Sequence, residues 1–103
     1  MGEKTKKMFI AFIRDYTDSE CLSRRMASLK PHLADVKKLM KSKVFHSGSV
    51  MLNDEGKLCG SIIYLNADSE QEVREIIEKD MFYKNNVWDK DSIIIQKVAI
   101  PRL

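Results

Sequence analysis

The stretch Val44-Phe45-His46-Ser47-Gly48-Ser49-Val50-Met51-Leu52-Asn53-Asp54-Glu55-Gly56-Lys57-Leu58-Cys59-Gly60-Ser61-Ile62-Ile63-Tyr64-Leu65 decides the fold of this chain. Asn53-Asp54-Glu55-Gly56-Lys57 is dense in turn-forming residues, and both flanks hold β-branched and aromatic side chains. The run therefore predicts strands over residues 44–52 and 58–65, joined as a hairpin. Gly48 and Gly60 fall inside these strands. A strand glycine often marks a bulge or a place where a ligand approaches the backbone.

Upstream of the hairpin, Leu22, Met26, Leu29, Leu33, Val36 and Met40 recur at helical spacing and predict one buried helical face. Asp18 or Ser19 can cap this helix. Pro31 interrupts the pattern, because it lacks the donor for the Ala27 carbonyl and its ring crowds that turn. Either the helix kinks there, or a new helix begins with Ser28 as cap and Pro31 in its first turn. Before the helix, residues 8–13 form a continuous apolar run bounded by Arg14-Asp15, which suits a buried central strand.

Downstream, Asp68 or Ser69 caps a second helix, with Gln71 offered for the reciprocal contact of a capping box. Its buried face is Val73, Ile76 and Ile77. An aromatic-rich connection follows over residues 81–88, with a turn at Asn85-Asn86, then a last strand over residues 92–96; Pro101 ends regular structure. The order strand, helix, strand, strand, helix, strand gives an α+β domain. Its four-stranded antiparallel sheet carries both helices on one face, the ferredoxin-like arrangement. The other face of the sheet needs a cover, which a second copy of the chain can supply.

A length of 103 residues allows one domain, read here as residues 8–103 behind a loose, basic tail over residues 1–7. The hydrophobic share of 44% and charged share of 32% exclude wholesale disorder. So small a domain buries a marginal fraction of its surface, which favours an oligomer. The net charge of +3 lies largely in the tail, where Lys4, Lys6 and Lys7 stand against Glu3. A nucleic-acid binder concentrates more basic charge on one face. Lys37, Lys38, Lys41 and Lys43 read as a solvated helix surface and its edge. RNA-recognition modules share the strand order but carry stacking aromatics on their central strands, and residues 58–65 lack that pattern.

Cys21 and Cys59 are far apart in sequence, with neither a CxxC motif nor paired histidines nearby, so no zinc site or disulfide framework is expected. No glycine-rich phosphate loop is present, and no cofactor is expected. The longest apolar run is too short to cross a bilayer. With no secretory signal, the expected setting is the cytoplasm.

Two residues stand out as carriers of chemistry. On the helical wheel Arg25, His32 and Leu39 share one flank of the apolar stripe, which puts His32 at the margin of core and solvent. Asp80 follows Ile76 and Ile77 on the apolar side of its helix end. A free anion there opposes the helix dipole, so it needs a partner. A carboxylate that accepts from one imidazole nitrogen fixes the tautomer and raises the basicity of the other, which can then work in general acid–base catalysis. The plainer reading is a satisfied interior histidine and an aspartate that caps locally. His46 reads as strand surface. Ser49 and Ser61 can donate to a bound anion or carbonyl, or serve as ordinary strand serines. Tyr83 and Trp88 can wall a pocket, or fill the core or a dimer interface.

The run Arg25…Lys30-Pro31-His32-Leu33, with Ser47-Gly48-Ser49, Gly60-Ser61 and Asp80-Met81-Phe82 ahead of Val87-Trp88, resembles the YCII-related proteins. The resemblance spans residues 8–98. It implies a dimeric α+β barrel of ferredoxin-like protomers, with His32 and Asp80 as a catalytic pair in a pocket. Some relatives act as dehydrochlorinases or lie near muconolactone-isomerase-like enzymes, so the implied class is a cofactor-independent acid–base lyase or isomerase. The expected reading is a homodimer in which Arg25 steers an anionic small-molecule substrate and Gly48, Ser49, Gly60 and Ser61 help hold it. A non-catalytic small-molecule-binding or dimerisation module on the same scaffold is the alternative. The chain departs from the family where Leu29 and Lys30 replace the usual Arg-Pro and the proline stands next to His32. It departs again where Met81 follows the aspartate, Ser49 follows the strand glycine and Asn86 replaces a common glycine. These differences bear on the substrate more than on the fold.

Overall fold

The computed structural model describes residues 6–102. In chain order it runs β1 (Lys7–Arg14), α1 (Cys21–Lys41), β2 (Phe45–Leu52), β3 (Leu58–Ala67), α2 (Glu70–Lys79), α3 (Met81–Lys84) and β4 (Ile94–Val98), with a 3-10 turn at Lys90–Ser92 before β4. Residues 1–5 of the expected tail lie outside the described residues, and Lys7 already belongs to β1. The sheet order is β2-β3-β1-β4, with every neighbouring pair antiparallel. This is the ferredoxin-like α+β fold.

The hairpin turn forms because the Asn53 side chain takes the place of a strand partner. Its Oδ1 accepts from the backbone N–H of Glu55 at 2.9 Å and of Lys57 at 3.0 Å. Gly56 closes the turn at φ +78°, a conformation that a Cβ would strain. β1 lies between β3 and β4, in register Phe9↔Leu65, Ala11↔Ile63 and Ile13↔Ser61. Phe9, Ala11 and Ile13 are buried beneath the helices, packed with Leu65, Val73, Ile77, Phe82 and Trp88. Each large side chain buried in this layer contributes about 1.5–3 kcal/mol. The alternate residues Met8, Ile10 and Phe12 face the other side of the sheet and are only half-buried.

α1 runs unbroken through Pro31, which excludes a new helix beginning there with Ser28 as cap. Ala27 and Pro31 are both exposed, so water can take the freed carbonyl, and tertiary ties hold the inner face on either side of the proline. α1 departs from its sequence reading in which face is inner. Leu22, Met26, Leu33 and Met40, expected in the core, are 47–59% exposed, while Cys21, Arg25 and Ser28 are buried. The helix presents the positions one residue earlier, a turn of about 100°. Polar partners cause this: Asp15 binds Arg25, the Asn85 amide donates to Ser28 Oγ at 2.9 Å, and Asp80 meets His32.

The helix caps also differ in detail. Glu20 occupies the N-cap of α1 without a side-chain bond, while Asp18 Oδ2 accepts from the Glu20 N–H at 3.2 Å. Ser69 caps α2 by accepting from the Glu72 N–H at 3.1 Å. Gln71 donates to Glu75 rather than completing a capping box. Ile76 is half-buried, so Val73 and Ile77 carry the inner face.

Candidate active site

Asp80 stands where α2 ends and α3 begins. Its extended backbone (φ −72°, ψ 144°) lets the chain leave one helix and enter the next. Its Oδ1 accepts from the Phe82 N–H at 2.8 Å, so the carboxylate that closes α2 also caps α3. That relieves the conflict between an anion and a helix C-terminus. His32 supplies the second partner: its Nδ1 lies 2.8 Å from Oδ1 and 3.0 Å from Oδ2. A carboxylate only accepts, so Nδ1 carries the hydrogen and the neutral ring keeps its lone pair on Nε2.

Aromatic rings fix the imidazole plane. Phe82 is stacked on it with centroids 3.8 Å apart, and Trp88 meets its edge at 5.9 Å. Nε2 has no hydrogen-bond partner among the described residues, and His32 lines a cleft of about 230 Å³ between α1 and the β2–β3 hairpin. Arg25, Ser49 and Ser61 are the other polar side chains of this cleft, with Gly48 beside them. Val36, Phe45, Ile63 and Trp88 wall it. An oriented imidazole with a spare nitrogen in an apolar cleft can take or give a proton.

Arg25 reaches the cleft from the inner face of α1, 5% exposed. Its Nη1 donates to Asp15 Oδ2 at 2.6 Å, and its guanidinium lies over Phe82, 4.8 Å from the ring centroid. Burial raises the Asp15 pKa above its ordinary value, against the charge and hydrogen bond of Arg25. The other carboxylate oxygen, Oδ1, is buried with no partner among the described residues. Ser61, also buried, accepts from Trp88 Nε1 at 3.2 Å.

The remaining sequence candidates divide between the cleft and other places. Gly48 lines the cleft, and a Cβ there would stand 3.0 Å from the Phe45 ring and 3.2 Å from the Ile62 carbonyl. Gly60 is outside it. A Cβ at Gly60 would meet the Ile13 carbonyl oxygen at 2.4 Å, so this glycine serves the close pairing of β1 with β3. His46 is exposed at an irregularity in β2, with Nδ1 2.9 Å from Ser47 Oγ. Tyr83 packs beside the core under Lys90, whose Nζ lies 4.7 Å from the ring centroid, and does not line the cleft. Cys21 and Cys59 are free, and burial together with the nearby Asp15 raises the Cys21 thiol pKa.

Sequence reading missed Asp15 and Phe82 as site residues. The signal at Asp15 was a carboxylate closing an otherwise apolar strand; at Phe82 it was an aromatic two residues beyond an unpaired acid. Among the described residues, no group of three or more His, Cys, Asp or Glu could hold a metal ion. No helix among them is long and apolar enough to cross a membrane.

Comparison with known proteins agrees with this architecture. Residues 8–96 match the YCII-related domain. Fusaric acid biosynthesis protein 2 of Gibberella fujikuroi is 36% identical over 89 residues, which cover 81% of this chain and 84% of that protein. Aspartate kinase FUB3 of Fusarium oxysporum f. sp. lycopersici is 35% identical over 103 residues, covering 94% of this chain; the match spans only 19% of the kinase's length. Among solved structures, the 5-chloro-2-hydroxyhydroquinone dehydrochlorinase TftG of Burkholderia phenoliruptrix AC1100, in complex with 2,5-dihydroxybenzoquinone, superposes with a TM-score of 0.72. It is 24% identical, with 89% of this chain and 93% of that one covered, a likeness of fold.

Proposed function

The chain belongs to the YCII-related domain family, and on that premise we propose that it is a cofactor-independent enzyme of small-molecule acid–base chemistry, a lyase or isomerase of dehydrochlorinase type. The observation that carries this reading is the His32–Asp80 contact at 2.8 Å beside the cleft. His32 Nε2 removes a proton from carbon or oxygen of the substrate and returns one to the product or leaving group. Asp80 is its positioning residue: it holds the hydrogen on Nδ1 and favours the imidazolium that forms. Arg25, Gly48, Ser49 and Ser61 form the substrate side. The dehydrochlorinase with the same fold lends the class of reaction, and the fusaric acid relatives are consistent with small-molecule work.

The working form is a homodimer, closed as a dimeric α+β barrel. Support comes from the sheet face away from the helices, where Ile10, Phe12, Ile62 and Tyr64 are half-buried and Ile94 is 59% exposed in one chain. A second copy laid on that face would remove this apolar surface from water.

The test is turnover. Purified protein is incubated with 5-chloro-2-hydroxyhydroquinone and a panel of enolisable small rings, with chloride release and deuterium wash-in from D2O as readouts. Exchange or elimination that falls by about 10²–10⁴-fold in His32→Gln supports the reading. Ligand binding in the cleft with no turnover on any compound would mean a binding module, and equal rates in the unmodified protein and His32→Gln would remove the imidazole from the mechanism.

A further inference from the structure

We propose that Asp15 and Arg25 form a second working pair of the cleft: Asp15 is a positioning residue for the Arg25 guanidinium, and the ligand held there is a small planar oxyanion, such as a phenolate, an enolate or an arene carboxylate. The proposal rests on the cleft being the reactive site and adds to it the class of substrate.

A guanidinium presents several N–H donors in a planar fork. Among the described residues Arg25 makes one hydrogen bond, from Nη1 to Asp15, although the residue is 5% exposed. Its remaining N–H donors are not among the buried unpartnered atoms, so they keep access to solvent, and Arg25 lines the cleft where a ligand can take the place of that water. The guanidinium carbon also lies 4.8 Å from the Phe82 ring centroid, and a charge-assisted bond to an oxyanion is roughly twice as strong as a neutral one. Ser61 adds a second donor. Its Oγ accepts from Trp88 Nε1, which leaves the hydroxyl hydrogen for a ligand in the same cleft.

The Asp15–Arg25 pair is poorly explained as a device for stability. Buried ion pairs contribute little net stability, and this one leaves Asp15 Oδ1 dry and unpartnered among the described residues. What the pair does achieve is geometric. Asp15 follows directly on β1 and is tied to Trp88 by a backbone bridge, so it ties the guanidinium to the sheet rather than to the helix alone. Both Arg25 and His32 approach the Phe82 ring, at 4.8 Å and 3.8 Å from its centroid. Both residues also line the one cleft, so a single small ring held there can offer an oxygen to Arg25 and a reacting carbon to His32. The cleft volume of about 230 Å³ and the aromatic walls Phe45 and Trp88 suit a single flat ring. Drug-sized ligands occupy about 300–1,000 Å³.

The experiment pairs each anion with a neutral counterpart on the unmodified protein: 2,5-dihydroxybenzoquinone, ionised at neutral pH, against 2,5-dimethoxybenzoquinone, and benzoate against benzamide. Binding is read by calorimetry and by NMR of the Trp88 indole N–H and the Arg25 Nε–H. The expected result is that the anions bind about tenfold or more tightly than their counterparts, the scale of one charge-assisted hydrogen bond. Arg25→Gln and Ser61→Ala should each reduce that preference, weakening the anions more than their neutral counterparts. Asp15→Ala should lower anion affinity. Asp15→Asn, which keeps an acceptor for Nη1 while leaving the guanidinium charge uncancelled, should hold it at or above the unmodified value; a merely structural role would make both variants equally weak. Equal binding within each pair, or no response of either resonance to any of the four compounds, overturns the proposal. His32→Gln should keep the anion preference, so absent turnover with that preference intact counts against the acid–base reading alone.

Discussion

The His32 imidazole lies flat against Phe82, with ring centroids 3.8 Å apart and planes 8° from parallel, and both residues meet the same Asp80 oxygen. The backbone N–H of Phe82 donates to it from one side and Nδ1 of His32 from the other. Phe82 is therefore a support for the imidazole as much as a core residue.

Phe82→Ala should cost about 3–5 kcal/mol of stability by chemical denaturation, as for other large core truncations. Phe82→Leu should cost less. In both variants the His32 ring signals should broaden or average, because the face that fixes the plane is gone. A sharp, unshifted ring in the folded Leu variant would show that Asp80 alone holds it.

Two strand glycines should separate stability from binding. A Cβ at position 60 meets the Ile13 carbonyl at 2.4 Å, so Gly60→Ala should destabilise by about 1–3 kcal/mol while the folded fraction binds cleft ligands normally. At Gly48 the nearest atom, at 3.0 Å, belongs to the Phe45 ring, which can turn aside. Gly48→Ala should therefore cost less stability and weaken ligand binding instead. Calorimetry and denaturation on both variants check the contrast.

Two carboxylates should give opposite pH dependence. Hydrogen bonds from Arg24, with help from its charge, hold the Asp18 pKa down at about 2 from the usual 3.8. The stability this adds is complete above 3.8 and is lost as pH falls through about 2. The difference between the unmodified protein and Asp18→Asn should therefore close over that window. Burial raises the Asp15 pKa, so the folded chain holds that proton more tightly than the unfolded one. Compared with Asp15→Asn, the unmodified protein should gain stability as pH falls through the raised value towards 3.8. Denaturation curves across acidic pH decide both signs.

The open sheet face predicts association. The unmodified protein should run at the mass of two chains by light scattering, and Ile94→Lys, which adds a charge beside Phe12 in the register, should run as one. A single-chain mass for the unmodified protein would remove the barrel.

Turn chemistry made the hairpin legible: Asn53 and Gly56 do in the structure what those residue types do elsewhere. The apolar alternatives in α1 were harder. Periodicity found a helix but chose Leu22, Met26, Leu33 and Met40 for its buried side, because a single-chain pattern weighs hydrophobicity and cannot see Asp15, Asn85 and Asp80 waiting across the fold. Those partners turn Arg25, Ser28 and His32 inward. The same blindness hid Asp15, whose role depends on a residue ten positions along and a helix away. Asp80 was readable because its place at a helix end made it costly without a partner.

The most direct test of the central claim is ¹⁵N NMR of the His32 ring at a pH where it is neutral. An imidazole held by Asp80 for acid–base work carries its hydrogen on Nδ1 and leaves Nε2 bare, and Asp80→Asn should scramble that preference. A ring with its hydrogen on Nε2, or one indifferent to Asp80→Asn, would contradict the account.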